Sequence, residues 1–388
     1  MPRARRNALV ALAVLGLALV TLTVAAALRD TTPPQLYSEP PTRLAVGAPL
    51  GLFVSADEPV TYVLDYGGET TTLVDQDATF DVPAVPGVQL AHLSAKDAAG
   101  NETVLEASIV GVPAFEPALA APGQVRAGDP LGVTITGLPG PGADPVLSAA
   151  VTSVTLTADG AVVPLREVAG PAYRGMLATP MTVDPQALTL ALHVTDEFGR
   201  AYDVSTTTLL EALPVEVEQL RLSASTLAVI TPEGRELEAE TAAAAWAGAR
   251  PGPLWTKPFI MPIDGVSTSG FGDARRYVQG GPVSFHYGLD LAAAQGTPIH
   301  ATNDGVVVVA GRYPIKGGWV AIDHGAGLMS YYFHMSEVKA EVGQEVKLGD
   351  VIGLVGTTGL STGPHLHWEM RVRQAASNPL AWVGKTFP

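Results

Sequence analysis

Histidine is the residue type on which chemistry in this chain would rest, because the sequence contains eight histidines and no cysteine. The absence of cysteine excludes disulfides, thiol nucleophiles and cysteine-ligated zinc or iron–sulfur sites. Six of the eight histidines follow residue 285, namely His286, His300, His324, His334, His365 and His367. A metal site here would therefore use imidazole and carboxylate ligands, and three such ligands with one water is the arrangement of catalytic zinc.

Two pairs of residues have spacings that bring such ligands together. His286 and Asp290 are separated by three residues that include a glycine, which lets the chain turn between an imidazole and a carboxylate. His365 and His367 lie in a run, 365–372, that is typical of a β-strand. Residues i and i+2 of a strand face the same side, so both imidazoles are expected to point into one cleft. The HExxH motif is absent, which excludes the helical class of zinc peptidases.

From about Pro253 to its C-terminus the chain resembles the lysostaphin/LytM-type zinc endopeptidases, which cut peptidoglycan peptides and have the duplicated hybrid motif fold. The matching segments, in the family's order, are 269–272 with Arg276, 286–290, 296–298, 303–307, 322–325, 332–336, 353–359 and 361–369. Each segment is short, and it is their order along about a third of the chain that makes the resemblance specific.

The resemblance implies three zinc ligands, His286, Asp290 and His367, and a catalytic pair, His334 and His365. None of these five positions is substituted in the sequence. In this chemistry zinc makes hydroxide available near neutral pH and polarises the scissile carbonyl. One histidine of the pair would take a proton from the water while the other steadies the oxyanion, and the sequence does not assign which does which.

Three further residues near these motifs have other expected roles. Tyr332, two residues before His334, could hydrogen-bond the oxyanion or be a buried strand tyrosine, and the sequence leaves both open. His300 is expected to pack or to bond the backbone, and His324 to be structural in a turn between two strands.

The chain before residue 253 predicts β-modules and one helix. Short alternating runs are separated by Gly, Asp and Pro, and two turn sequences, 47–51 and 97–100, recur as 128–132 and 196–199. The pattern predicts a tether and a first immunoglobulin-like sandwich in 31–112, a second sandwich in 113–212, a connector in 213–252 and a zinc metallopeptidase domain in 253–388. In the connector, Thr231 can cap a helix and Pro232 suits its first turn, and no chemistry is expected there.

The first 30 residues carry a targeting signal. Arg3, Arg5 and Arg6 precede an uncharged run at 8–28. Twenty-one helical residues rise about 31 Å, enough to cross a bilayer core of about 30 Å. We expect a single-pass anchor in the bacterial cytoplasmic membrane, with a short basic cytoplasmic tip and the catalytic domain on the extracytoplasmic side. A cleaved signal peptide is the alternative, because three alanines at 25–27 suit a cleavage site.

The expected fold class is mainly β, with an N-terminal transmembrane helix, two immunoglobulin-like sandwiches and an antiparallel β metallopeptidase domain of the barrel-sandwich hybrid type. The expected function is a membrane-anchored zinc endopeptidase that hydrolyses peptidoglycan stem peptides or cross-bridges. The alternatives are a non-catalytic regulator of other cell-wall hydrolases and an adhesion or scaffold protein. The expected partners are peptidoglycan peptides and the lipid bilayer, and the net charge of −15 argues against nucleic acid. The sequence does not determine the oligomeric state.

Overall fold

The computed structural model describes residues 30–140, 142–168, 172–214, 216–219, 223–276 and 282–386. Within these residues the protein is mainly β, as predicted. The described residues form two compact units, the first being residues 30–115 with Gly142–Ala150 and Asp196–Arg200, and the second containing the rest. The domain boundaries drawn from the sequence remain predictions.

The first unit contains one six-stranded sheet. Its strands are β1 (Leu36–Ser38), β2 (Arg43–Ala45), β3 (Leu52–Tyr66), β4 (Glu69–Phe80), β5 (Gly87–Lys96) and β6 (Glu102–Val112). The order is β1-β3-β5-β6-β2, with β4 paired to β3. Alternate residues of β3, such as Val54, Tyr62 and Leu64, are buried. The alternation of apolar and polar residues in the sequence therefore indicates which side of this strand faces the core.

The second unit begins with two sheets. Its strands are β7 (Ala118–Ala120), β8 (Gln124–Arg126), β9 (Pro130–Thr136), β10 (Val151–Ala158), β11 (Ala161–Val163), β12 (Leu165–Val168), β13 (Ala172–Ala178), β14 (Gln186–Asp196) and β15 (Ala201–Glu211). One sheet has the order β11-β10-β14-β15-β8 and the other β12-β13-β9-β7. We call these two sheets the second β-module.

The repeated Asp-to-Gly turns form as the sequence predicted. Asp97 Oδ1 accepts the backbone N–H groups of Gly100 and Asn101, at 2.7 and 2.9 Å. Asp196 Oδ1 accepts those of Phe198 and Arg200 in the same way, at 2.9 and 3.0 Å. Each aspartate therefore closes its own hairpin turn.

The connector forms strand β16 (Val217–Gln219) and two helices, α1 (Ala224–Leu227) and α2 (Pro232–Ala247). Thr231 caps α2 by accepting the N–H of Gly234 at 3.0 Å, and Pro232 occupies the first turn, as predicted. The helix docks on the C-terminal domain, where Trp246 Nε1 donates to the hydroxyl of Tyr331 at 2.9 Å.

The predicted fold class needs one correction, because it included a transmembrane helix. Among the described residues no helix is both long enough and apolar enough to cross a membrane. The longest, α2, has 16 residues and would rise only about 24 Å. It also carries charged residues along its length, including Glu233, Arg235 and Glu238. The helix predicted for 8–28 lies outside the described residues.

The C-terminal part is built on an eight-stranded sheet. The strands are β17 (Val266–Ser269), β18 (Ala274–Arg276), β19 (Ser284–Phe285), β20 (Leu289–Ala292), β21 (Pro298–His300), β22 (Gly305–Tyr313), β23 (Gly317–Gly325), β24 (Leu328–Met335), β25 (Glu337–Val338), β26 (Glu345–Val346), β27 (Val351–Leu354), β28 (His365–Val372) and β29 (Ala375–Ser377), followed by a 3-10 turn at Pro379–Ala381. The main sheet has the order β17-β20-β28-β24-β23-β22-β26, with β29 on β28. Two further sheets have three strands each, in the orders β16-β18-β19 and β21-β27-β25.

The second β-module shares the core of the C-terminal domain. Met176 of β13 is buried in the same cluster as Trp368 and Trp382. Asn378 Nδ2 donates to Asp129 Oδ1 at 2.7 Å, and the Asn378 N–H donates to the Gly128 carbonyl at 2.8 Å. These contacts make the second β-module and the C-terminal domain neighbours with a continuous interior.

Candidate active site

Strand register brings the predicted site residues together. β20 and β28 are antiparallel neighbours in which Asp290 is opposite His367 and Ala292 is opposite His365. β24 lies on the other side of β28, and its Phe333 is opposite His367. The chain therefore brings residues from three strands to one cleft, as the i, i+2 spacing of the histidines predicted.

His286 reaches the cluster through a close approach at Gly288. A Cβ on Gly288 would lie 2.5 Å from the carbonyl oxygen of Trp368 and 2.8 Å from Nε2 of His367. The turn between His286 and Asp290 thus needs glycine for its lack of side chain.

Three side chains converge on one point. His286 Nε2 lies 3.0 Å from His367 Nδ1, and Asp290 Oδ1 lies 3.1 Å from the first and 2.8 Å from the second. The potential ligand atoms of the three residues all lie within 4.8 Å of one another. Two imidazoles and a carboxylate in this arrangement could hold a metal ion.

Acceptors outside the cluster orient its two imidazoles. His286 Nδ1 donates to the Gly270 carbonyl at 2.7 Å, which leaves Nε2 facing the cluster. His367 lies 3.0 Å through Nε2 from Glu369 Oε1. In metal sites a carboxylate commonly binds the ring nitrogen of a histidine that does not face the metal. Because Glu369 takes Nε2 of His367, Nδ1 is the atom that faces the cluster. This donor set fits zinc, because each residue turns one ligand atom to the common point.

A second pair of histidines borders the first cluster. The Nδ1 atoms of His334 and His365 donate to the carbonyls of Thr358 and Gly363, both at 2.8 Å. Their rings lie 4.8 Å apart, and His365 Nε2 lies 3.8 Å from Asp290 Oδ1. Each therefore turns an Nε2 lone pair, a proton acceptor, toward the cleft.

The charges of the cluster are set by burial and by neighbours. Burial lowers the pKa of His334 to about 3, and the electrostatic influence of the neighbouring imidazoles acts in the same direction. Burial also lowers the pKa of His286. Burial would raise the pKa of Asp290, but its hydrogen bonds with His286 and His367 outweigh that effect and lower it. At neutral pH the site therefore holds an ionised carboxylate beside neutral His286 and His334.

The other candidate residues lie in structural positions. His300 Nδ1 donates to the Gly349 carbonyl at 2.8 Å. His324 is fully buried between the Asp304 carbonyl at 2.7 Å and the Ser330 hydroxyl at 2.8 Å. The Tyr332 hydroxyl accepts the Thr302 N–H at 2.9 Å and is fully buried. Of the two roles left open for Tyr332, the structure shows the buried strand tyrosine.

Two arginines behind the cluster were not assigned from the sequence. The arginine that contacts Asp290 is Arg275, whose Nη2 donates to Asp290 Oδ2 at 2.8 Å, and it is the neighbour of the Arg276 in the sequence motif. Arg371 donates through Nε to Glu369 Oε2 at 2.7 Å. The signal for Arg371 and Glu369 is the same i, i+2 alternation that identified the histidines, continued along β28.

The site opens into a cleft of about 790 Å³. Its lining includes Leu227, Ile230 and Arg235 of the connector, together with Tyr287 and Leu360 of the C-terminal domain. The sequence predicted no chemistry in the connector and left open whether its helix covers the groove, because nothing in its pattern shows which side of a helix faces a cleft.

The fold and site together define a β-domain with a candidate metal centre and two further histidines in one cleft. Residues 284–379 match peptidase family M23, so this segment of the chain is a peptidase M23 domain. This confirms the family that the sequence resemblance indicated.

Curated relatives match about a quarter of the chain. The peptidoglycan DD-endopeptidase ShyA of Vibrio cholerae is 44% identical over 98 residues, which is 25% of this chain and 23% of ShyA. The DD-carboxypeptidase/endopeptidase Mpg of Neisseria gonorrhoeae is 46% identical over 96 residues, 25% of this chain and 22% of Mpg. The chain thus spans about a quarter of the length of these relatives. Among solved structures, an M23 peptidase from Pseudomonas aeruginosa is 25% identical, with a TM-score of 0.44, over 62% of this chain and 93% of that one.

Proposed function

We propose that this protein is a zinc-dependent endopeptidase that hydrolyses peptide bonds in the stem peptides or cross-bridges of peptidoglycan. The observation that carries the proposal is the orientation of four imidazoles around Asp290. Hydrogen-bond partners other than Asp290 hold one ring nitrogen of each histidine, which leaves the other nitrogen available toward the cleft. The peptidase family of the domain supports the reaction, and the printed names of ShyA and Mpg support the substrate class.

In this proposal His286, Asp290 and His367 would hold the zinc, which supplies Lewis acidity. Arg275 and Glu369 hold the carboxylate and the imidazole of two of these residues in place. His334 and His365 each turn Nε2 toward the cleft, so either can accept a proton from the attacking water and donate it to the leaving amine as the peptide bond breaks. In its protonated form the same histidine can hydrogen-bond the developing oxyanion. The alternative of a non-catalytic regulator would be favoured by lost site residues, and all five predicted positions keep their side chains.

The experiment is digestion of purified peptidoglycan by the full chain, with mass spectrometry of the released muropeptides and metal analysis of the same preparation. The expected result is about one zinc per chain and the loss of cross-linked dimers in favour of monomers. Addition of a chelator should stop the reaction, and zinc should restore it. A protein that holds no divalent metal and leaves the muropeptide pattern unchanged would overturn the proposal.

A further inference from the structure

We propose that Glu238, in the connector helix α2, is a positioning residue that holds the catalytic-pair histidine His334 in its working conformation. The inference rests on the proposed function, because it assigns Glu238 a part in that same reaction. The sequence had assigned the connector no chemistry.

Glu238 is a buried carboxylate with three partners in one short segment. Its side chain lies on α2, and the residue is only 2% exposed. Oε1 accepts the backbone N–H groups of Ile315 at 2.7 Å and Lys316 at 2.9 Å. Oε2 pairs with Lys316 Nζ at 2.9 Å. A buried carboxylate is tolerated only where such charge-assisted bonds replace water, so this segment and Glu238 fix one another.

The same segment holds His334. The Lys316 carbonyl accepts the backbone N–H of His334 at 2.9 Å. Lys316 is therefore bound through its N–H by Glu238 and through its carbonyl by His334. Two hydrogen bonds and one residue separate the carboxylate of the connector from the backbone of the histidine.

His334 needs such support because its backbone is strained. Its φ of +65° lies in the left-handed region, which costs a non-glycine residue about 1–2 kcal/mol. A residue persists there only where surrounding contacts determine its conformation. Three hydrogen bonds hold the residue: its N–H donates to the Lys316 carbonyl at 2.9 Å, its Nδ1 donates to the Thr358 carbonyl at 2.8 Å, and its own carbonyl accepts the Thr358 N–H at a longer 3.4 Å. The bond to Lys316 is the shorter of the two on the backbone, so its loss would loosen the backbone of His334 and with it the direction of Nε2.

Attachment of the helix does not account for Glu238. Trp246 and Tyr331 fix the helix near its C-terminal end. Near its start the backbone passes so close to Pro314 that a Cβ on Gly234 would lie 3.2 Å from Pro314 Cβ. An apolar side chain could fill the position at lower desolvation cost. The placement of the carboxylate at the segment that leads to His334 is therefore best explained by positioning.

The test compares Glu238→Ala and Glu238→Gln in the full chain, with Glu240→Ala, an exposed glutamate of the same helix, as the matched control. Amide hydrogen exchange of Ile315, Lys316 and His334 is measured beside kcat and KM on a defined muropeptide dimer. Glu238→Ala should raise exchange at these amides about tenfold or more and lower kcat about 10- to 100-fold, with KM within about threefold. Glu238→Gln keeps an acceptor oxygen and should recover most of both properties.

Unchanged exchange and kcat in Glu238→Ala would overturn the proposal, as would equal losses in Glu238→Ala and Glu240→Ala. Should Glu238→Ala fail to fold, Glu238→Asp withdraws the oxygens by one methylene and keeps the charge. It should then show the same losses to a smaller degree, and wild-type behaviour of Glu238→Asp would overturn the proposal. Failure of the proposed function can be told apart from failure of this inference. If the wild type were inactive, the comparison of His334 amide exchange between wild type and Glu238→Ala would still show whether Glu238 holds that residue.

Discussion

Asp290 and His367 face each other across the β20–β28 pair, and Asp290 Oδ1 lies 2.8 Å from His367 Nδ1. The register of two antiparallel strands fixes this contact between residues that are 77 positions apart in the chain. Since His286 Nε2 lies within 3.1 Å of the same oxygen, the pair forms the centre of the candidate metal site.

The ligand set predicts which variants lose metal. His286→Ala, Asp290→Ala and His367→Ala each remove one of three ligand groups, so each should lose bound zinc and activity together. The measurement is zinc per chain by elemental analysis of the purified variants, with His300→Ala as the control that keeps its metal. If His365→Ala lost zinc while His367→Ala retained it, the assignment within the H-x-H pair would be reversed.

The catalytic pair should separate activity from metal binding. His334→Ala and His365→Ala leave the three ligand groups intact, so they should keep near-stoichiometric zinc. Their turnover should fall by about 10²- to 10⁴-fold, the usual contribution of a positioned proton-transfer group. Hydrolysis rates and zinc content are measured on the same samples. Activity of both variants within a few-fold of wild type would exclude the pair from the chemistry.

Glu369 should tune metal affinity from behind the site. Glu369→Gln keeps an oxygen for the His367 Nε2–H but removes the negative charge that supports this ring. The expected result is a zinc affinity about 10- to 100-fold weaker, measured by competition with a chelator of known affinity. Glu337→Gln, an exposed glutamate of β25, is the control and should bind zinc as the wild type does. Equal affinities in all three proteins would contradict this role.

Stability should fall at acid pH through His324. Burial lowers the pKa of this residue from 6.5 to about 4, so the neutral form is favoured in the folded state. The unfolded chain then binds more protons between those values, and stability decreases as the pH falls through that window, by at most about 3 kcal/mol. His324→Asn keeps a donor for the Asp304 carbonyl and should show a shallower loss of stability between pH 6.5 and 4. Chemical unfolding at several pH values gives the comparison, and parallel pH profiles would refute it.

Two glycines at repeat-equivalent positions test the contact of the second β-module with the C-terminal domain. Gly47 and Gly128 have nearly the same φ, +83° and +82°. A Cβ on Gly47 meets nothing within 4 Å, whereas one on Gly128 would lie 2.2 Å from the Phe271 ring. Gly47→Ala should cost only the backbone term of about 1–2 kcal/mol, and Gly128→Ala should cost about 1–3 kcal/mol more through overpacking. Thermal unfolding measures the stability of both variants. Equal losses of stability would contradict the prediction, because they would mean that the Phe271 ring moves aside without cost.

The site was predictable from the sequence where the spacing was local. His365, His367 and Glu369 alternate along one strand, and strand periodicity alone places them on one side. The contact of Glu238 with Lys316 spans 78 positions and depends on how α2 docks, which no local pattern records. Which of Arg275 and Arg276 binds Asp290 depends on tertiary packing in the same way. Neighbouring strand residues point to opposite sides, and the sequence does not show which side faces the site. The membrane helix predicted at 8–28 rested on an uncharged run behind three arginines, and residues 8–28 lie outside the described residues.

The bond between Asn378 and Asp129 also defines a path for tension. It joins positions that are 249 residues apart, with the whole catalytic sheet in the loop between them. A pulling force that enters the chain before Asp129 and leaves it after Asn378 would load this contact and the neighbouring bond to the Gly128 carbonyl first. The strands that carry the histidines would bear no load until these two hydrogen bonds broke. A moderate pulling force along the chain would therefore leave the geometry of the cleft unchanged.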